Sequence, residues 1–383
     1  MSSASPRPDS HIVAGRYAIQ AKLGSGSIGT VYLSTDLATK SAVALKLIRT
    51  DRIDDNAVRK LKEEFRTLAS LKHPSIAQAL DFGYTADRLP FYTREHIVGD
   101  PLPGGPPPES SPSAPGEYLR PILDLLGALE YLHGHGILHL DIHAGNVIVS
   151  TETRGGVLID FGLVAQRAGT RLISSRGSSF LADLANEPPS VATDLRATGR
   201  LLLYRLTGRY DGDHRLPREI RGWEPHVLLA LERVIDKAMA TDPAQRFLSA
   251  REMREAIAQA VGAPAARREL GEPPEQTIGR DEEIGRIEAA VGRALSGHAA
   301  VLWIHGPSGV GKTRLLTDVR WRAQLRGLDV VGLEFLRHGG SPTAERQIRA
   351  ALRGRSELVR WLDDGSSILP GSPGERARRH ARA

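Results

Sequence analysis

The chain has no cysteine, which excludes disulfides and thiolate metal sites. No stretch reaches the roughly 18 apolar residues of a spanning helix. The opening MSSASPRPDS is polar, without the apolar core of a signal peptide. A disordered tail over residues 1–14, no membrane span and cytoplasmic residence are therefore expected. Aromatic residues make up only 5% of the chain. The modest arginine excess has no aromatic interleaving, so nucleic acid is not an expected partner. Lysine is scarce towards the end of the chain: after Lys237 it occurs once, at Lys312.

The 383 residues suffice for two or three domains, each with its own core. The formal charge of +6 is unevenly spread: residues 271–383 hold 18 Lys or Arg against 14 Asp or Glu, the first 270 residues 33 against 31. A linker rich in Pro, Ala and Glu over 261–276 separates the two parts. Residues 99–116 hold seven prolines and four glycines and read as an exposed insertion.

The densest chemistry lies in HLDIHAGN, residues 139–146, followed by Asp160, Phe161 and Gly162. Phosphoryl transfer needs one carboxylate to orient the attacking hydroxyl and other oxygens to hold magnesium on the triphosphate. Asp141 suits the first task, and Asn146 with Asp160 suits the second, since magnesium takes hard oxygen ligands. The apolar runs Val147–Val149 and Val157–Ile159 read as a hairpin joining these loops.

In its order of motifs the chain resembles the eukaryotic-like protein kinases of bacteria, over about residues 15–260: HxDxxxxN, then DFG. Upstream, LGSGSIGTVY carries Gly24, Gly26 and Gly29 in the GxGxxGxV pattern, and VALK places Lys46 at the family's spacing. The resemblance implies a two-lobed α+β fold, with a small lobe over about 15–97 and a large lobe over 117–260. ATP would lie between the lobes against Leu23, Gly24, Gly26, Gly29, Val31, Ala44, Lys46, Glu95 and Ile97, with Mg2+ on Asn146 and Asp160. Asp141 would be the base, and Lys46 with Glu64 the phosphate clamp. Glu64 falls within a helical stripe of Val58, Leu61, Phe65 and Leu68; the alternative is a solvated charge run with Lys60, Lys62 and Glu63. Asp194 is open to two roles, acceptor for the catalytic-loop backbone or helix N-cap. Arg246 resembles the arginine that pairs with a glutamate closing the activation segment.

Four departures bear on activity. Leu140 stands where an arginine usually meets an activation-loop phosphate. His143 replaces the lysine that faces the γ-phosphate, and a neutral imidazole provides a donor but little charge. The APE element is reduced to Ala185, Asn186 and Glu187, which shortens the segment that seats a protein substrate; Thr170, Ser174, Ser175, Ser178 and Ser179 in it are candidate phosphosites. Arg94 falls at the gatekeeper position, where an unpaired guanidinium is costly; either it meets Glu64 or Asp160, or the register with the family is shifted by one residue.

A second nucleotide signal follows. Residues 301–305, VLWIH, lead into GPSGVGKT, so that Gly306, Gly309, Gly311, Lys312 and Thr313 match GxxxxGK[ST], and a helix-periodic run continues. In such a P-loop the amides cradle phosphate, the lysine reaches the β and γ phosphates and the threonine ligates magnesium. With its lead-in TIGRDEEIGRIEAAV, this part resembles the signal-transduction ATPases of the AAA-like superfamily. The second acidic strand has only a poor candidate in LVRWLDD at 358–364, so a partial α/β P-loop module over 277–383 is expected.

The implied function is a serine/threonine protein kinase acting on a protein substrate, with ATP and Mg2+. A nucleotide-binding pseudokinase, or a regulator driven by the P-loop ATPase, are the alternatives.

Overall fold

The computed structural model describes residues 12–26, 29–48, 55–108, 113–161, 165–166, 188–210, 215–263, 280–298, 304–307, 309–328 and 330. Gly162, the phosphosite candidates, the reduced APE, most of the linker, residues 301–303 and 358–364 lie outside these.

An antiparallel sheet forms the first lobe from β1 (Ile12–Val13), β2 (Tyr17–Ser25), β3 (Gly29–Asp36) and β4 (Ala42–Ile48), then, after α1 (Asp55–Ser70), β5 (Ala79–Tyr84) and β6 (Pro90–Glu95), in the order β1-β2-β3-β4-β6-β5. Alternation along β4 and β6 buries one face against α1, where Leu61, Phe65 and Leu68 meet Ile48, Phe82 and Tyr92. On the other side Val13, Tyr17, Val43, Leu45 and Phe91 form a smaller cluster. The expected tail therefore ends earlier than residue 14: Val13 is buried and pairs with Tyr17, because its side chain completes that cluster.

Residues 99–116 also depart from expectation. Gly99–Pro101 is a strand, β7, paired with β9, and Leu102 is buried and donates its amide to the Val147 carbonyl at 2.8 Å. Proline is compatible with such an edge strand because its missing N–H is not required on the open side. Gly99 is fixed by close approach, since a Cβ there would stand 2.1 Å from the Val149 carbonyl oxygen. Residues 109–112 lie outside the described parts.

The second lobe is helical: α2 (Pro115–Tyr118), α3 (Arg120–Gly134), α4 (Val191–Thr207), α5 (Pro225–Met239) and α6 (Ala250–Ala260). Ile122, Leu125, Leu126, Leu129 and Leu132 of α3 are all buried. Between α3 and α4 run β8 (Ile137–Leu138), β9 (Val147–Ser150), β10 (Gly156–Leu158) and β11 (Ala165–Gln166). β9 and β10 form the expected hairpin, in register Val147 with Leu158. Helix α4 starts in a capping box of Ser190 and Thr193 and stops at Gly208, whose φ of 75° is left-handed.

Two further helices, α7 (Asp281–Leu295) and α8 (Lys312–Leu325), share a cluster of Ile287, Val291, Leu315 and Ala323. The opposite side of α8 does not face solvent. Leu325 joins the main core, and Trp321 packs against it.

Candidate active site

The catalytic loop is built by restraint of its backbone. Leu140 sits at φ 62°, in the left-handed region that costs a branched residue roughly 1–2 kcal/mol. Asp194 holds it there, accepting from the amides of His139 (2.9 Å) and Leu140 (2.7 Å) while His133 Nε2 stands 2.8 Å away. Burial works against the Asp194 carboxylate, but these partners keep it below the usual range. Ser190 is the N-cap, so Asp194 takes the backbone-acceptor role. Leu140 itself is buried with Leu138, with Val191 against them.

Downstream, a 3-10 turn over Ala144–Asn146 brings Asn146 back to Asp141: its Nδ2 donates to the Asp141 carbonyl at 2.9 Å and to Oδ2 at 3.3 Å. Its amide oxygen has no hydrogen bond among the described residues. Asp141 Oδ1 is buried and accepts no hydrogen bond among the described residues. His143 caps the 3-10 turn by accepting from the Gly145 amide at 3.1 Å, and its Nε2 stands 3.8 Å from Asp141 Oδ1.

The second loop is tied to the first by His139, whose Nε2 lies 2.6 Å from the Asp160 carbonyl, and by the Ile159 amide on the Asn146 carbonyl at 3.0 Å. The His139 and Phe161 rings meet edge to face at 5.0 Å. Asp160 thereby points its carboxylate at Lys46, with Nζ to Oδ1 at 3.0 Å and to Oδ2 at 3.3 Å.

Lys46 Nζ is also 2.6 Å from Glu64 Oε1. The lysine is buried, which disfavours the ammonium, yet Asp160 and Glu64 outweigh burial and hold it well above its ordinary value. Two carboxylates share this one cation, and the negative charge divides unequally. Burial pushes Glu64 up to about 7 against the pull of Lys46. Asp160 stays well below the carboxylate range, with Lys46 the largest force against burial.

The glycine loop closes β2 on β3. Gly24 pairs with Val31, and the Gly26 amide donates to the Gly29 carbonyl at 2.8 Å. Gly29 has to be glycine, because a Cβ would meet the Leu47 carbonyl oxygen at 2.6 Å. Val31 lies opposite Lys46, Ala44 is fully buried opposite Arg94, and Leu23 is 48% exposed.

Arg94 is buried, and burial lowers its pKa. Contrary to expectation it bonds neither Glu64 nor Asp160; its Nη1 donates to the Glu95 carbonyl at 3.1 Å. The reason is its strand position: β6 leaves the side chain next to its own following peptide, while Lys46 already occupies both carboxylates. The Glu95 amide is committed to Gln78, at 2.9 Å.

Sequence reasoning missed Tyr92. Its buried hydroxyl donates to Glu64 Oε1 at 2.6 Å, and only its alternation within β6 marks it as inward-facing. Arg246 is buried on the carbonyls of Ala240, Thr241 and Ala192; Glu187 lies outside the described residues.

The residues fit a nucleotide-borne magnesium, for which the ionised Asp160 carboxylate and the Asn146 amide oxygen, without a hydrogen bond among the described residues, would be the protein ligands. Among the described residues no three His, Asp or Glu side chains cluster as a resident metal site would require, and magnesium characteristically takes one or two protein oxygens plus phosphate.

The P-loop residues are arranged differently. Gly306, Gly309 and Gly311 have φ of 157°, 81° and 87°, and Gly311 caps α8. Lys312 Nζ donates to the carbonyls of Gly306 (2.9 Å) and Pro307 (2.7 Å), and Thr313 is exposed. Arg280, just before α7, donates to the Val310 carbonyl at 2.7 Å.

A lysine clamped by a helix glutamate, an aspartate after the hairpin and a catalytic-loop Asp–Asn pair together define the class: this is the cleft of a protein kinase. Residues 17–195 match the protein kinase domain family, and residues 276–381 match the AAA ATPase domain family. The chain is 28% identical over 273 residues to the serine/threonine-protein kinase PrkC of Bacillus subtilis, covering 66% of this chain and 41% of that protein. It is 34% identical over 167 residues to the DNA damage-responsive serine/threonine-protein kinase RqkA of Deinococcus radiodurans, covering 43% and 25%. Among solved structures, the Mycobacterium tuberculosis PknI kinase domain aligns with a TM-score of 0.49 and 25% identity, over 67% of this chain and all of that one. The chain spans less than half the length of these curated relatives. Its first part is thus similar to bacterial serine/threonine protein kinases, and the chain joins a stretch that matches the protein kinase domain family to one that matches the AAA ATPase domain family. Among the described residues no helix is long and apolar enough to cross a membrane.

Proposed function

We propose that the cleft transfers the γ-phosphoryl group of ATP to a serine or threonine hydroxyl of a protein, with Mg2+ bound to the nucleotide. The observation that carries this is the buried Lys46, held at 2.6 Å by Glu64 and 3.0 Å by Asp160. In this reading the ammonium meets the α and β phosphates, Glu64 fixes its position, and Tyr92 fixes Glu64. Asp141 accepts the proton of the attacking hydroxyl at Oδ1 and is oriented by Asn146. Asp160 and the amide oxygen of Asn146 face the metal, which when bound neutralises charge on the phosphates. The adenine rests between Leu23, Val31 and Ala44, taking the Ile97 amide and the remaining lone pair of the Glu95 carbonyl. Gly24, Gly26 and Gly29 lay backbone over the phosphates, and His143 donates a hydrogen bond to the γ-phosphate. Gly306, Gly309, Gly311, Lys312 and Thr313 hold a second nucleotide.

The test is phosphoamino-acid analysis of the full chain and a generic basic protein after incubation with γ-labelled ATP and magnesium. Label in serine or threonine that a chelator prevents is expected; label in tyrosine alone would revise the acceptor.

A second reading is favoured by one observation: Arg94 occupies the Glu95 carbonyl that an adenine amine would use. In that reading the cleft binds nucleotide without transferring phosphate and serves as a regulatory module. Nucleotide binding without label in any acceptor would establish it.

A further inference from the structure

Helix α8 begins with the P-loop lysine and ends inside the kinase core. From its side facing β5 and α1, Arg320 Nη2 reaches Asp81 Oδ1 at 2.8 Å and Gln324 Nε2 reaches the same oxygen at 2.5 Å. Trp321 packs edge-on against Phe65, with ring centroids 6.0 Å apart. Leu325 is buried in the main cluster. Asp81 also holds Arg16 (2.6 Å) and the Tyr17 hydroxyl (2.8 Å), so its carboxylate is the point where α8 meets the sheet.

What lies under this contact is the kinase clamp. Phe65 follows Glu64 directly on α1, and its ring also touches Phe82 and Tyr92. Tyr92 and Lys46 both bond Glu64 Oε1. One packed chain therefore runs from Lys312 along α8 to Trp321, Phe65 and Glu64. Interior packing transmits such displacement because it is dense and has few discrete arrangements.

We propose that α8 couples the two nucleotide sites: phosphate bound at the P-loop favours α8 docked on the α1–β5 face, and docked α8 holds Glu64 on Lys46. The coupling rests on the phosphoryl-transfer reading given above. The P-loop supplies the differential affinity. Phosphate recruits Lys312 from the Gly306 and Pro307 carbonyls and binds the amides of the first turn of α8, which orders the helix from the end opposite to Trp321. By reciprocity, a kinase cleft with Glu64 engaged raises the affinity of the P-loop.

The test is a double-mutant cycle on kcat for phosphoryl transfer in the full chain, with Lys312→Ala, Trp321→Ala and both together. Leu316→Ala, on the exposed side of α8, controls for general loss of the helix. Each of the first two variants should lower kcat by roughly five-fold or more, the range of ordinary site-to-site coupling, and the double variant should be no slower than the slower single. Independent, multiplying effects, or an equal loss in Leu316→Ala, would overturn the coupling.

A second readout separates this from failure of the kinase reading. In Asp141→Asn protein, hydrogen exchange of the α1 amides is followed with and without ADP and magnesium. Extra protection that disappears in both Lys312→Ala and Trp321→Ala supports the coupling even if wild-type protein transfers nothing. Protection unaffected by either substitution overturns it.

Discussion

Two lysines that the sequence offers for the same task, holding phosphate, are kept in opposite ways. Lys46 is buried and ion-paired on both sides, with its position over-determined by Glu64, Asp160 and Tyr92. Lys312 is half-exposed and rests on two carbonyls of its own loop. Neutral carbonyls at the surface return little energy compared with buried charges. The difference teaches that Lys46 is fixed by the charged side chains of Glu64 and Asp160, whereas the P-loop lysine has only neutral carbonyls to give up for a phosphate. A pre-organised site suits chemistry; an exchangeable one suits sensing.

The sharpest way to break the comparison is to remove each lysine and measure stability. Lys46→Met leaves the buried Glu64 and the half-buried Asp160 without their cation, and about 3 kcal/mol of stability, the lower end for a buried pair because Asp160 is partly solvated, should be lost in urea denaturation at pH 8. The loss should shrink at pH 5.5, where Glu64 is protonated without help. An equal loss at both pH values would show that packing and not charge is responsible.

Next in size is a pH effect at the junction of the lobes. His73 packs on Tyr131 at 5.3 Å and is buried, and burial with the nearby Arg254 lowers it to about 4. The unfolded imidazole takes a proton near its ordinary 6.5, so stability is fully present above that pH and falls as pH drops from 6.5 towards 4. The contribution is on the order of 3 kcal/mol. Denaturation midpoints across that window should slope upward with pH, and the slope should flatten in His73→Asn.

Smaller is Tyr92→Phe, which withdraws one hydrogen bond from a charged acceptor and should cost about 1.5–3 kcal/mol. Because the clamp loosens, the KM for ATP should rise in the same variant. At the bottom lies Lys312→Ala, expected to change stability by no more than about 0.5 kcal/mol while weakening nucleotide at the P-loop. A large stability loss there would erase the contrast between the two sites.

Much of this was legible in the sequence because the motifs are local. HLDIHAGN folds as one loop and the glycine loop as one turn, so spacing alone places Asp141 near Asn146. Helical periodicity put Glu64 on the face of α1 that Lys46 meets. Illegible were the contacts decided by tertiary packing. Residues 99–102 carry too much proline and glycine to read as a strand, yet β9 offers them an edge and Leu102 a core. Arg94 was expected on a carboxylate, but those sites were filled by Lys46. Asp81, Tyr92 and Trp321 belong to no motif, and a contact such as that of Gln324 with Asp81, 243 residues apart in the chain, leaves no periodic trace.

The most direct measurement is phosphoryl transfer from γ-labelled ATP by the full chain and by Asp141→Asn, with nucleotide binding followed in the same samples. Wild-type protein should label serine or threonine, and Asp141→Asn should bind ATP equally well yet transfer at least about a hundred-fold more slowly, the loss of a general base. Transfer undiminished in Asp141→Asn, or binding without transfer in the wild type, would contradict a catalytic cleft.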